Sequence, residues 1–266
     1  MRKPLPVFRR ALADSWRSLL GWTLGVAAAL ALYLPLYPSI GGNGQMQQII
    51  ESMPPELTKT LGFQDIATGA GYAQSTFFGL IGFLLLTIAA TAWGAAAIAG
   101  AEESGRLELA LAHGVSRVQY ALESALGILV RLLWLGAFAT VLVLVLNEPS
   151  ELGIEPAHVV AASASLVGVT LLSAAFALAA GALTGRASIA TGAGAAVAVA
   201  GYVLNALANQ SEDLDGLRAV SPYSWAYHGR PLVEGADWAG LGLLGGLAVV
   251  LVAVAALALR RRDIVG

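Results

Sequence analysis

The sequence contains no cysteine, which excludes disulfide bonds, thiolate metal sites and cysteine nucleophiles. Charge is also scarce: 12% of the 266 residues are charged, whereas soluble domains carry about 25%. Hydrophobic residues make up 57% of the chain, and its mean hydropathy is +0.72. This composition predicts an all-α polytopic membrane protein that forms a single transmembrane domain over residues 1–266.

Lysine is nearly absent, which limits how the chain could use nucleotides. Its only lysines, Lys3 and Lys59, follow Arg2 and Thr58. A Walker-type phosphate-binding loop places its lysine directly after glycine, so this chain cannot bind ATP in such a loop. If ATP drives the protein, a partner must hydrolyse it.

Other catalytic and ligand-binding patterns are missing as well. Neither G-x-S-x-G nor H-E-x-x-H occurs, and His113, His158 and His228 fall in three separate segments. No Asp or Glu lies in the middle of an apolar run, which argues against a proton or sodium relay. Asn205 and scattered hydroxyls are expected to bond neighbouring helices or their own backbone, and lining a substrate path is the alternative. We therefore expect no enzymatic activity, no metal and no cofactor in this chain.

Six apolar runs are long enough to cross a bilayer. The fourth and fifth are dense in glycine, alanine and serine, which allows close helix packing. The predicted spans cover 19–37, 76–100, 122–146, 158–183, 187–207 and 238–259.

The segment between the first two spans, 38–75, is polar enough to leave the membrane. Within it, Pro54-Pro55-Glu56 can open a short helix that Gly62 closes, because proline suits the first helical turn and glycine the C-terminal cap. An irregular surface loop is the alternative.

The charge distribution predicts the orientation of the six spans. Twelve of the fifteen basic residues and six of the seventeen acidic ones lie on one side. They belong to both termini, to the polar segment between the second and third spans with its flanks, and to the turn at Arg186. That side has a net charge of +6 and the other side −8, which sum to −2. The positive-inside rule therefore places both termini in the cytoplasm.

Residues 1–18 combine basic and apolar side chains ahead of the first span. Three apolar residues recur every four positions and share one helical face, while basic residues project elsewhere. This pattern predicts an amphipathic helix on the cytoplasmic membrane surface, and a signal peptide cleaved after Ala29-Leu30-Ala31 is the alternative. The residues expected at the interface are Phe8, Arg9, Arg10, Leu12 and Trp16.

A short polar segment, 101–120, separates the second and third spans, and we call it the hinge. Its ionisable residues must lie outside the hydrocarbon, because burying each there costs several kcal/mol. An ordinary solvated loop would satisfy this requirement too. The charged residues of the hinge are Glu102, Glu103, Arg106, Glu108 and Arg117.

Helix start and stop signals within the hinge predict more than a loop. Residues 105–112 can form a short helix, with Gly114 as its C-terminal cap. Ser116 and Gln119 fit a capping box, so the third membrane helix is predicted to start at Ser116. A separate helix is then expected to lie across the mouth of the bundle.

Three stretches match a known family in order along the chain. They are 102–109 with 114–117, 221–225 with Pro231, Leu232 and Gly235, and 261–264. In these stretches the sequence resembles the permease subunits of type-two ABC exporters. In that family an E-x-x-G-x-L-E-L-L-L…P-V-S-R motif joins the second and third spans. His113-Gly114 departs from the family pattern of a residue followed by proline, which leaves the end of the hinge helix open.

The resemblance implies a six-span permease with an N-terminal elbow helix and a cytoplasmic coupling helix. Two such units, identical or homologous, pair in the lipid bilayer, and each docks on a separately encoded ATP-binding subunit that holds ATP and Mg²⁺. By analogy the second and fifth helices line the substrate path. The residues that the resemblance assigns to partner contact are Glu102, Glu103, Gly105, Arg106, Leu107, Glu108, Leu109, Leu111, Gly114, Val115, Ser116 and Arg117.

The expected function is the membrane subunit of an exporter in the bacterial plasma membrane, driven by a partner ATPase and without nucleic acid. An ion-coupled or facilitative carrier without an ATPase is one alternative. A non-transporting membrane scaffold or immunity protein is another.

Overall fold

The computed structural model describes residues 4–40 and 67–262, which are helical and contain no strand. After α1 the chain continues through a 3₁₀ turn, Leu34–Leu36, and one helical turn, Tyr37–Ile40. A 3₁₀ segment, Glu212–Val220, precedes α8. The helices are α1 (Pro6–Tyr33), α2 (Gly69–Ala97), α3 (Ala99–Glu103), α4 (Arg106–Ala112), α5 (Arg117–Asn147), α6 (Pro156–Thr184), α7 (Ala187–Ala208), α8 (Pro222–Tyr227) and α9 (Trp238–Arg261).

Six of these helices, α1, α2, α5, α6, α7 and α9, are long and apolar enough to cross a membrane. The prediction of six spans is therefore confirmed for the described part of the chain. Their bounds are wider than hydropathy alone indicated: α2 begins at Gly69 rather than at 76, and α5 begins at Arg117 rather than at 122.

The predicted boundary between an elbow helix over 1–18 and a first span over 19–37 is absent from the structure. One unbroken helix, α1, runs from Pro6 to Tyr33. Its first turn holds Pro6, which suits a helix start, and no proline or glycine follows until Gly21. The spacing of the apolar residues indicates a helical face but contains nothing that would bend the helix.

Parts of two predictions lie outside the described residues. They are the short helix expected at Pro54-Pro55-Glu56 and Gly62, and the charged ends of the chain at 1–3 and 263–266.

Helix α6 forms the centre of the bundle. In its most apolar stretch 72% of the residues are buried, against 22% for α1, α7 and α9. Small residues make this packing possible: a Cβ on Gly94 of α2 would lie 2.5 Å from the Ala174 carbonyl oxygen and 2.8 Å from the Ala177 Cβ. The three peripheral helices therefore leave faces for lipid or for another membrane protein.

One end of the bundle gathers the start of α1, the hinge, the α6–α7 turn and the end of α9. The contacts that show this join Val7 to Glu123, Ala187 to Glu103, and Arg262 to Glu102. We call this the basic end, because the arginines of those segments lie there. The opposite end holds the 148–155 loop, α8 and the start of α9.

The close contact at Gly94 gives a prediction about stability. Gly94→Ala adds one methyl group where no room exists, and overpacking of this kind costs about 1–3 kcal/mol. We expect a lower melting temperature in detergent, followed by circular dichroism.

The matched control is Gly246→Ala in α9, because a Cβ there meets nothing within 4 Å. This variant should melt at or slightly above the parent temperature, since alanine favours a helix by about 1 kcal/mol over glycine. Equal melting of the two variants would contradict the packing described for α2 and α6.

Candidate functional site

The hinge folds as two short helices joined by a tight turn. Helix α3 ends at Glu103, and Gly105 then adopts φ +70° as the residue that precedes α4. This left-handed conformation is easily reached only by glycine. The predicted helix over 105–112 is thus present as Arg106–Ala112, with Gly105 at its N-terminal cap.

The end of α4 and the start of α5 follow the predicted caps. Gly114 has φ +82° and donates its amide to Leu111 at 2.9 Å, while the Val115 amide bonds Ala110 at 3.3 Å. This pair of bonds closes a helix at a left-handed glycine. Ser116 is the N-terminal cap of α5. The predicted cap positions, Gly114 and Ser116, are therefore both confirmed.

The capping box at Ser116 forms only in part. The Ser116 hydroxyl oxygen accepts the Gln119 amide at 3.2 Å. The Gln119 side chain, however, does not return to Ser116 but donates to Glu123 Oε1 at 2.7 Å. A polar acceptor one turn farther along α5 therefore competes for the glutamine.

One side of α4 faces the protein and the other faces outward. Leu107 is fully buried, and Leu111 is partly buried against the core. Arg106, Glu108 and Leu109 are exposed, and Leu109, a large apolar residue, is 59% exposed. We call the exposed residues Arg106, Glu108, Leu109, Ala112 and His113 the hinge surface.

Glu102 and Glu103, predicted to contact a partner, are bound within the chain. Glu102 forms an ion pair with Arg262 at the end of α9. Glu103 Oε1 accepts the amide of Ala187, the first residue of α7, at 2.8 Å. Both carboxylates therefore tie α3 to other helices.

Arg117 is also bound within the chain. Its guanidinium donates to the Arg262 carbonyl oxygen at 2.6 Å. Gly185, at φ +69° in the α6–α7 turn, leaves room for the neighbouring ion pair, since a Cβ there would lie 2.8 Å from Glu102 Oε1. We call Glu102, Glu103, Arg117 and Arg262 the anchor network.

Glu123 has a structural role that was not predicted. It is 3% exposed, and its Oε2 accepts the amides of Val7 at 2.7 Å and Phe8 at 3.0 Å. These amides lie in the first turn of α1, where a helix lacks internal acceptors. An acidic residue near the start of an otherwise apolar span was the signal for such a role.

The predicted interfacial residues of α1 divide between two surroundings. Phe8 and Leu12 are half-buried, whereas Trp16 is 57% exposed and carries the Arg17 guanidinium 5.3 Å from its ring centre. Arg9 is exposed, and so is Arg10, which pairs with Asp14 four residues on. The apolar face of α1 thus packs against the protein at Phe8 and Leu12 and is exposed at Trp16.

Helix α8 anchors the opposite end of the bundle to α2. The Tyr223 hydroxyl donates to the Gly79 carbonyl at 2.7 Å, and the Tyr227 hydroxyl donates to the Phe78 carbonyl at 2.8 Å. Both carbonyls belong to a π-helical stretch, Gln74–Ile81. Burial raises the pKa of both phenols above the usual value, so they stay neutral donors.

Asn205 of α7 bonds a neighbouring element, as expected. Its Oδ1 accepts the Ser224 hydroxyl of α8 at 2.9 Å. Within residues 4–40 and 67–262, no group of three histidine, aspartate or glutamate side chains could hold a metal ion.

Comparison with known proteins shows the family of the bundle. The family described as "Multidrug efflux system permease Rv1217c, C-terminal domain" matches residues 8–260. The chain belongs to this family. The match runs from the first turn of α1 to the last turn of α9 and therefore covers all six long helices. A search of the curated proteins finds no match.

Glu123 should be essential for the stability of this permease. Glu123→Ala leaves two amides of α1 without an acceptor, and each unpaired buried donor costs about 1–3 kcal/mol. We expect a clear drop in melting temperature in detergent. Glu108→Ala removes the same side chain from the exposed side of α4 and should melt like the parent; equal loss in both variants would refute the capping role.

Proposed function

We propose that this permease is the membrane-spanning subunit of an ATP-binding-cassette exporter in the bacterial plasma membrane. It has no Walker-type lysine, so ATP and Mg²⁺ are held by a separate ATP-binding subunit. Its family is named for multidrug efflux, which supports small amphipathic compounds as the exported class.

The observation that carries this proposal is the form of the hinge. A short helix stands between two long membrane helices, its inner residue Leu107 is buried, and its outer side exposes Arg106, Glu108 and Leu109. An exposed arginine and an exposed apolar side chain on one short helix suit a protein contact, because such contacts are rich in arginine and combine an apolar core with a polar rim. An ordinary solvated loop needs neither a defined helix nor an exposed leucine.

The charge distribution supports a cytoplasmic hinge. The segments that meet at the basic end carry the excess of arginine, and basic segments flanking membrane helices stay in the cytoplasm. This orientation points the hinge surface towards the compartment that contains ATP.

A second permease unit completes the proposed transporter. The exposed side of α7 is rich in small residues, which allow another helix to approach closely. This side pairs with a copy or a homologue of the permease, and α2 and α7 line the path between the two units, as the family resemblance implies. The small residues exposed on α7 are Gly192, Ala195, Ala196 and Ala200.

The anchor network transmits motion in this mechanism. When the two partner subunits close, α4 moves with the cleft that holds it. Glu103 passes the displacement to α7, and the Glu102–Arg262 pair passes it to α9. Because these helices run the length of the bundle, access changes at the opposite end.

Removal of the hinge-surface charges should uncouple transport from ATP hydrolysis. For Arg106→Ala and Glu108→Ala we expect drug efflux to fall roughly tenfold, the effect of losing one strong interface contact. The partner should still hydrolyse ATP, and the permease should still insert. Efflux and ATPase activity are measured together in proteoliposomes.

Arg9→Ala is the control, because Arg9 is an exposed arginine at the same end but outside the hinge. It should transport like the parent. Unchanged efflux in both hinge variants would overturn the proposed contact, and efflux in vesicles without any ATP-binding subunit would favour a carrier.

A further inference from the structure

A cavity of about 500 Å³ lies at the basic end between α1, α2, α4 and α5. This volume falls within the range of about 300–1,000 Å³ that small-molecule sites occupy. The hinge surface contributes Arg106, Leu109 and His113 to its lining, and the mechanism proposed above uses none of its other side chains. Its polar lining residues include Arg10, Asp14, Arg106, His113, Ser124 and Arg131.

Arg131 is the unusual residue of this cavity. Its side chain is 7% exposed, stacks 4.6 Å from the ring centre of Trp93, and donates Nε to the Gly127 carbonyl at 2.9 Å. A guanidinium has five N–H donors, so most of its capacity remains. In the described ranges no carboxylate lies within ion-pairing distance of Arg131.

Two acidic residues of the cavity region bind other groups. Glu123 accepts two amides of α1 together with the Gln119 side chain, and Asp14 pairs with Arg10. The cavity thus presents three arginines against one aspartate. A buried charge without a counterion is costly, which makes an anionic ligand the natural complement.

Helix register places Arg131 where charged and apolar parts of the bundle meet. Trp93, on which it stacks, donates to the Ser18 hydroxyl of α1 at 3.3 Å. Just before Ser18, Arg17 lies over the exposed Trp16, and the apolar part of α1 starts just after it. Tryptophan and arginine mark the headgroup level of a bilayer.

We propose that this cavity binds the phosphate group of an anionic phospholipid from the leaflet on the hinge side. Arg131 holds the phosphate oxygens in the bidentate geometry that suits a guanidinium, and Arg10 and Arg106 add charge at the rim. The alanines of the wall contact the first carbons beyond the phosphate. They are Ala11, Ala96, Ala97, Ala101 and Ala110.

This proposal does not depend on the ATP-binding partner, and its test uses the permease alone. Detergent-purified protein is incubated with phosphatidylglycerol or with phosphatidylcholine of the same acyl chains, and bound lipid is counted by native mass spectrometry. We expect the parent to prefer phosphatidylglycerol roughly tenfold. Both lipids offer a phosphate, but the choline ammonium cancels the charge of phosphatidylcholine and would be repelled by the three arginines of the cavity.

Two variants probe the site in different ways. Arg131→Gln removes the charge and should abolish the preference. Ala96→Leu fills the cavity from an exposed wall position, keeps every charge, and should reduce the preference at least threefold even if Arg131→Gln fails to fold. Arg9 is next to the cavity in sequence but does not line it. Arg9→Gln should keep the parent preference, and it controls for lipid that binds arginines on the outer surface of the protein.

An undiminished preference in Arg131→Gln or in Ala96→Leu would overturn the proposal. Retention of inorganic phosphate but not of phosphatidylglycerol by the parent would also overturn it, because the cavity would then belong to a soluble anion.

Discussion

At the basic end, carboxylates from neighbouring helices cap the N-termini of α1 and α7 by accepting hydrogen bonds from their first amides. The arrangement of the bundle depends on these bonds. The first amides of a helix have no acceptor within that helix, and water becomes scarce towards the bilayer. Glu123 of α5 binds two amides of α1, and Glu103 of α3 binds the first amide of α7. Each carboxylate also lies at the positive end of a helix dipole. Because acceptor and donors belong to different helices, these bonds fix the N-terminal end of α1 relative to α5 and that of α7 relative to α3.

These contacts between helices attach the inner side of the hinge to the bundle and leave its outer side exposed. Leu107 packs α4 onto the bundle, and the Glu102–Arg262 pair joins the preceding helix to the end of α9. Only the outer side of α4 remains available to a partner. In the proposed exporter, a small displacement of α4 therefore reaches α7 and α9 directly, whereas a loosely attached loop would absorb it.

Local and bilayer-imposed features were predictable from the sequence, and distant pairings were not. The bilayer thickness requires apolar runs of a set length, so hydropathy predicted the six long helices. Gly114 and Ser116 act within a few residues, so their cap roles were also evident. Glu102 and Glu103 were predicted to contact a partner, and the structure adds bonds within the chain: the groups that donate to them, on Arg262 and Ala187, lie 160 and 84 residues away. No local pattern contains that information. The unbroken α1 was missed because amphipathic spacing indicates a face and not a bend.

The absence of cysteine allows a direct test of the claim that the hinge surface meets an ATP-binding subunit. Leu109→Cys introduces a single thiol on α4, and Val233→Cys introduces one at an exposed position near the opposite end. A maleimide-based photocrosslinker is attached to each variant in membranes that contain the partner. The account predicts that Leu109→Cys crosslinks to the ATP-binding subunit in a nucleotide-dependent manner and that Val233→Cys does not. The absence of a crosslink from Leu109→Cys, or an equal yield from Val233→Cys, would contradict it.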